Sequence, residues 1–206
     1  MSSVVAVEKK FLNAAHDVAI FQRRVRVLSQ CLSAELGQSG TVLDLGCGDG
    51  SLARAIMERK PDLRFRGIDV LIRPRTAIPV ELFDGVTIPS ADRSYDWVTI
   101  VDVLHHTDNP VRLVSEAARV ARKGVVIKDH LREGFGARQT LRLMDWVGNK
   151  GHNVRLPYNY LSRQEWDSLF IEAGVAPLTW RTALSLYPFP ATLLFDRELH
   201  FVTTLR

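Results

Sequence analysis

At 206 residues, with 46% hydrophobic and 24% charged side chains, the chain has the length of one domain and is too apolar to be disordered. Lys and Arg number 27 against 23 Asp and Glu, so the net charge is only +4. Nucleic acid is therefore not an expected partner, because a nucleic-acid surface needs its excess charge gathered into a stripe. The densest basic group, Arg23, Arg24 and Arg26, is short and is read as a solvated helix face. Cys31 and Cys47 give neither a disulfide framework nor metal-ligand spacing, and no metal is expected. No apolar run approaches the ~20 residues of a membrane span, and no signal-peptide pattern opens the chain, so the expected setting is the cytoplasm.

The first 40 residues read as helical. Between Val7 and Glu35 there is no Pro or Gly, and Val18, Phe21, Val25, Leu28 and Leu32 recur at steps of three and four. Strands are predicted at Thr41–Leu45, Phe65–Asp69, Val80–Phe83, Trp97–Val101 and Val125–Lys128. Helices are predicted over Ser51–Lys60, stopped by Pro61, and over Pro110–Ala121, capped by Asp108-Asn109. Strands alternating with helices imply a parallel sheet covered on both faces. Between Asp69 and Val80, Pro74 and Pro79 make a crossover helix improbable and leave one face of the sheet short of cover. A short helix is expected over Ala137–Val147, and the capping box Ser162-Arg163-Gln164-Glu165 opens another that stops at Gly174. Leu178–Leu186 and Leu199–Thr204 read as a final antiparallel hairpin with no helix between them. The predicted fold is α/β, a Rossmann-like three-layer sandwich on a seven-stranded, mostly parallel sheet. Residues 1–206 form one domain: an N-terminal helical segment (1–40), a ligand-binding core (41–130), a substrate lid (131–161) and a C-terminal helix and hairpin (162–206).

The main chemical signal is Val42-Leu43-Asp44-Leu45-Gly46-Cys47-Gly48-Asp49-Gly50. Ligands of open α/β sheets sit at the carboxyl ends of strands, and glycines there let the backbone approach them. A dinucleotide loop needs G-x-G-x-x-G, and a nucleoside-triphosphate loop needs a Gly-Lys-Ser/Thr end; neither is present. Asp44 and Asp49 make the loop negative, suited to an amine or a sulfonium. Asp69, closing the second strand, is placed to accept hydrogen bonds from a ribose diol.

Residues 42–50 closely resemble motif I of the class I S-adenosylmethionine-dependent methyltransferases. Gly67-Ile68-Asp69-Val70 is similar to that family's second-strand acidic motif, and Asp84-Gly85 with Ile88-Pro89 to its segment after the third strand. Val101-Asp102-Val103-Leu104-His105-His106 resembles the fourth-strand motif of the small-molecule branch that includes quinone-biosynthesis enzymes. The resemblance implies S-adenosyl-L-methionine as cofactor. It implies that Asp44, Gly46 and Gly48 line its methionine end, that Asp69 meets the ribose and Asp84 the adenine, with Leu45, Cys47, Val70 and Gly85 also among the cofactor-binding residues, and that Asp102 lies near the methyl group or the amine.

The expected function is methyl transfer to a small organic molecule by in-line displacement, with oxygen the expected acceptor atom and carbon or nitrogen open. Candidate bases or substrate contacts follow the fourth and fifth strands, His106 and His130, and a third, His152, lies in the 131–161 segment with its aromatics and flanking glycines. The alternatives are a non-catalytic cofactor-binding module of a pathway complex and an RNA methyltransferase. A homodimer is an expected assembly, since a second subunit would cover the face left short after the second strand.

Overall fold

A computed structural model describes residues 20–148 and 157–206. The first helix, α1, is described over residues 20–35, and the rest of the predicted N-terminal helical segment lies outside the described residues. There follow β1 (Gly40–Leu45), α2 (Ser51–Arg59), β2 (Leu63–Asp69), β3 (Val80–Leu82), β4 (Tyr95–Val101), a 3-10 turn (Leu104–His106), α3 (Pro110–Val120) and β5 (Ala121–His130). The chain continues through α4 (Ala137–Gly148), α5 (Arg163–Glu172), the short α6 (Thr192–Phe195) and β6 (His200–Leu205).

The strands form one sheet in the order β3-β2-β1-β4-β5-β6, with β6 antiparallel to β5 and every other pair parallel. Successive strand residues point to opposite faces, and the two faces carry separate cores. Val125 and Ile127 pack with Leu113, Ala117, Trp166 and Phe170 of α3 and α5. Val126, between them in sequence, packs on the other side with Leu28 and Leu32 of α1 and Ile56 of α2. Strand order reverses between β1 and β4, so a crevice opens at their carboxyl ends.

Local signals hold where their chemistry is complete. Asn109 caps α3, accepting from Arg112 N–H at 2.9 Å, with Pro110 in the first turn. At α5 the Ser162 hydroxyl accepts from Glu165 N–H, while the Glu165 carboxylate accepts from Ser162 N–H. Ser162→Ala should cost about 1 kcal/mol. Urea unfolding reads that loss, and an unchanged midpoint would show that the cap does not support α5.

Residues 70–79 contain no helix, as the two prolines require. Ile78, 4% exposed, fills part of the space instead, packing where a side chain on Gly50 would clash. Val70, Leu71, Ile72 and Leu82 stay exposed along that edge.

The sheet has six strands rather than the predicted seven. Residues 176–181 do approach β6, but only as isolated bridges, Pro177 to Leu205 and Arg181 to Val202. Leu178 N–H bonds Thr204 O, whereas Arg181 N–H bonds Val202 O, which is a slip of one residue. Thr179 marks the slip: its side-chain Oγ1 accepts Thr204 N–H at 3.0 Å, a bond a ladder would give to backbone. An extra residue of this kind breaks strand pairing as a bulge does. The connection to β6 contains α6, where no helix was expected.

Candidate active site

Three cavities surround the carboxyl ends of β1 and β4. The first, about 460 Å³, lies between the loop after β1 and the ends of β2 and β3; Leu45, Gly46, Asp69, Val70, Asp84 and Gly85 line it. The second, about 690 Å³, lies on the α1 side, against Gly46, Cys47, Gly48, Arg24 and Asp102. The third, about 190 Å³, is lined by Arg24, Asp102, His105, His106, His130 and Asp145. Gly46 borders the first and second, Asp102 the second and third, and His106 the first and third.

The glycine loop turns sharply enough to need left-handed backbone at Gly46 (φ 71°) and Gly48 (φ 58°). Asp69 anchors it. One carboxylate oxygen accepts Gly48 N–H at 2.8 Å and the other accepts Leu71 N–H at 2.9 Å. A carboxylate has about four acceptor positions, so this leaves capacity for a ligand in the first cavity. Asp84 is exposed, and the Val86 and Thr87 N–H groups it accepts hold its carboxyl below the usual range. Asp49 is spent on the first turn of α2, accepting from Ser51 N–H and hydroxyl.

Asp44 corrects the sequence reading. It does not border the first or second cavity but lies beneath the loop, 5% exposed, accepting the Thr99 hydroxyl at 2.7 Å. Burial pushes its carboxyl up to about 7. Burial also pushes the Cys47 thiol up to about 12, with neighbouring carboxylates adding to the effect. That sulfur is a packing group, not a nucleophile.

Asp102 sits at φ 56° directly after β4, within 2.5 Å of Lys128 Nζ and 3.2 Å of Arg24 Nη2. Burial raises its carboxyl, but Lys128, His130 and Arg24 outweigh that and hold it well below the ordinary range. Arg24 is thus an inward-facing partner and not part of a solvated face. Lys128 is fully buried, its ammonium also 3.3 Å from His200 Nδ1.

Around the third cavity His105 lies between two carboxylates, Nδ1 at 2.6 Å from Asp129 and Nε2 at 3.5 Å from Asp145. Burial lowers it, but the two carboxylates dominate and raise it to about 10. Burial and the charge of His105 push His106 down to about 4 and also lower His130. Both are neutral imidazoles at pH 7. His152 lies outside the described residues.

The structure therefore brings Leu45, Gly46, Cys47, Gly48, Asp69, Val70, Asp84, Gly85 and Asp102 to the first two cavities and His106 and His130 to the third. Sequence reasoning missed Lys128, Arg24, Asp145 and His200. Lys128 did leave a signal, a lysine ending the buried run Val125-Val126-Ile127 of a central strand. Asp145 left none: an acidic residue in the helical pattern of α4 reads as solvated.

A methyltransferase-domain family model matches residues 16–179. The chain belongs to the class I S-adenosylmethionine-dependent methyltransferases. S-adenosylmethionine is its cofactor. A ubiquinone biosynthesis O-methyltransferase of Nitrosomonas europaea is 22% identical over 187 residues, covering 81% of this chain and 77% of that protein. An uncharacterized 37.1 kDa protein in a Streptomyces fradiae transposon is 38% identical over 112 residues, 48% of this chain, but this methyltransferase spans only 31% of its length. Among solved structures, a Haloferax volcanii methyltransferase in complex with the Trm112 methyltransferase activator has the same fold, with a TM-score of 0.69, 17% identity and 93% coverage of both chains. No helix among the described residues is long and apolar enough to cross a membrane.

Proposed function

We propose that this methyltransferase methylates a hydroxyl of a small, uncharged organic molecule, with adenosine in the first cavity, the methionine end in the second and the acceptor in the third. The observation that carries this reading is the sharing of residues: Asp102 and His106 each border the third cavity and one cofactor cavity. The loop fits the cofactor, because a side chain on Gly48 would meet no protein atom within 4 Å, which leaves its backbone approachable.

When bound, S-adenosylmethionine supplies an electrophilic methyl group, transferred as its carbon–sulfur bond breaks and sulfur keeps the electron pair. The protein's contribution is mainly placement: Asp69 holds the ribose end and Asp102 borders the methyl end. His106 contacts the acceptor. His130, neutral and with Nδ1 3.5 Å from Asp129 Oδ1, takes the hydroxyl proton, and Asp129 balances the charge that forms. The surrounding charges favour a neutral acceptor. Arg24, Lys128 and His105 are each paired with Asp102, Asp129 or Asp145, so among the described residues no uncompensated charge is left for an acid or an amine. Met144 and Asp145 of α4 line the acceptor cavity, and relatives named for ubiquinone biosynthesis agree with a phenolic acceptor.

Calorimetry with S-adenosylhomocysteine and a labelled-methyl assay over phenols, amines, acids and RNA test the reading. Label should appear on a phenolic hydroxyl. Asp69→Ala should weaken S-adenosylhomocysteine binding by tenfold or more, since each hydrogen bond to a carboxylate contributes roughly 1.5–3 kcal/mol. Wild-type affinity in that variant removes Asp69 from the site. Label confined to nitrogen, carbon or RNA overturns the acceptor assignment.

A further inference from the structure

Part of the third cavity is not explained by hydrogen bonding. His105 is 1% exposed, and Asp129 fixes its ring from behind: one Asp129 oxygen meets Nδ1 at 2.6 Å and the other accepts Leu104 N–H at 3.0 Å. The opposite nitrogen, Nε2, is buried with no hydrogen-bond partner among the described residues. The same is true of His106 Nδ1. Nε2 of His105 lies 3.5 Å from Asp145 Oδ2. One donor atom from each of His105, His106 and Asp145 lies within 4.8 Å of the other two.

We propose that His105, His106 and Asp145 bind a divalent metal ion of the zinc class at the edge of the acceptor cavity. Two imidazoles and one carboxylate suit that class, whereas magnesium and calcium prefer oxygen throughout. Ligands held at ~2.0–2.1 Å around one tetrahedral ion stand about 3.3 Å apart, close to the observed 3.5 Å. Asp129 occupies the outer position that orients a metal-binding histidine through its other nitrogen. On binding, the dication would displace the proton that His105 holds and take over the balancing of the two carboxylates that flank it. Three protein ligands leave a coordination position open, as in catalytic zinc sites, and the cavity lies beside it.

A second set, His105, Asp129 and His130, is also close. There the 2.6 Å contact is a hydrogen bond, too short for two ligands of one ion, and the Lys128 ammonium pairs with the Asp102 oxygen that lies 3.8 Å from His130 Nδ1. The cavity-facing set is therefore the one assigned. The ion's role, holding the acceptor oxygen beside the methyl group, rests on the proposed hydroxyl methylation; its binding does not.

The test uses the full chain stripped of metal by chelation and titrated with cobalt(II), then with zinc(II) in competition. Cobalt should saturate at one equivalent, develop the visible bands of four- or five-coordinate ion, and be displaced by zinc. His106→Ala and Asp145→Asn should each weaken binding by about tenfold or more. Cys31→Ser and His130→Gln should leave the bands intact. Calorimetry with S-adenosylhomocysteine on every variant reports fold and cofactor site independently. Absence of a saturable site in the wild-type chain overturns the proposal. So does a saturable site that survives both His106→Ala and Asp145→Asn, or one lost in His130→Gln alone. If cobalt binds as expected and no hydroxyl is methylated, the acceptor reading fails while the metal site stands.

Discussion

Gly46→Ala is expected to abolish S-adenosylhomocysteine binding and to lower stability by several kcal/mol, whereas Gly48→Ala loses binding and only about 1–2 kcal/mol of stability. The two positions share a left-handed backbone but not a neighbourhood. A Cβ on Gly46 would stand 2.4 Å from Val103 Cγ2, on the residue that follows Asp102. Either the loop or the β4 end must move, and Gly46 borders both cofactor cavities. Overpacking costs roughly 1–3 kcal/mol, and left-handed backbone adds roughly 1–2 kcal/mol for a residue with a side chain. At Gly48 nothing lies within 4 Å, so only the backbone cost applies. The added methyl group there stands on the wall of the second cavity, where the methionine end is placed. Calorimetry with S-adenosylhomocysteine, paired with thermal melting, separates the two effects. The double variant Gly46→Ala/Val103→Ala should recover stability in part, because it removes the contact but not the backbone strain. Wild-type affinity in Gly46→Ala would remove the loop from the cofactor site.

The loop, the acidic end of β2 and the parallel core were legible because each rests on local chemistry: a glycine triplet after an apolar strand, an acidic residue ending the next, and caps with both partners in place. The features that were not legible depend on distance or parity. The seventh strand has the right composition, and a slip of one residue around Thr179 breaks it; no periodicity reports a slip. Arg24 reads as solvated because a long side chain on a helix gives no hint of an aspartate 78 residues away. Asp44 was open to a better reading. Leu43 and Leu45 pack on one face of the sheet and Val42 on the other, so strand parity sets Asp44 on the sheet beside Val42, not in the loop. The negative loop inferred from sequence is correspondingly weaker. Asp49 serves α2, Asp102 serves Lys128 and Arg24, and Asp44 is buried against Thr99.

That burial makes Asp44 a source of pH dependence, and Asp44→Asn should raise stability at pH 8 by about 4 kcal/mol while changing little below pH 4. The folded carboxyl titrates at about 7, against an ordinary value of 3.8, because burial disfavours its charge. Below both values the folded and unfolded chains are alike protonated and the group contributes nothing to pH dependence. Between them the unfolded chain releases its proton and the folded chain keeps it, so stability falls by about 1.4 kcal/mol per pH unit. Above about 7 the loss is complete. Asparagine keeps an oxygen for the Thr99 hydroxyl and carries no charge to desolvate. Urea unfolding of both proteins at pH 4, 6 and 8 isolates the contribution, because every other titrating group cancels in the difference. Parallel profiles would show that Asp44 ionises as freely in the folded chain as in the unfolded one. A carboxyl that destabilises the fold at neutral pH is poised to ionise when positive charge arrives above it. Binding of S-adenosylmethionine near pH 7 should therefore release protons in the wild type, and fewer in Asp44→Asn, which calorimetry in buffers of different ionisation enthalpy resolves. In that case Asp44 responds to the cofactor's charge through the loop it supports, without touching it.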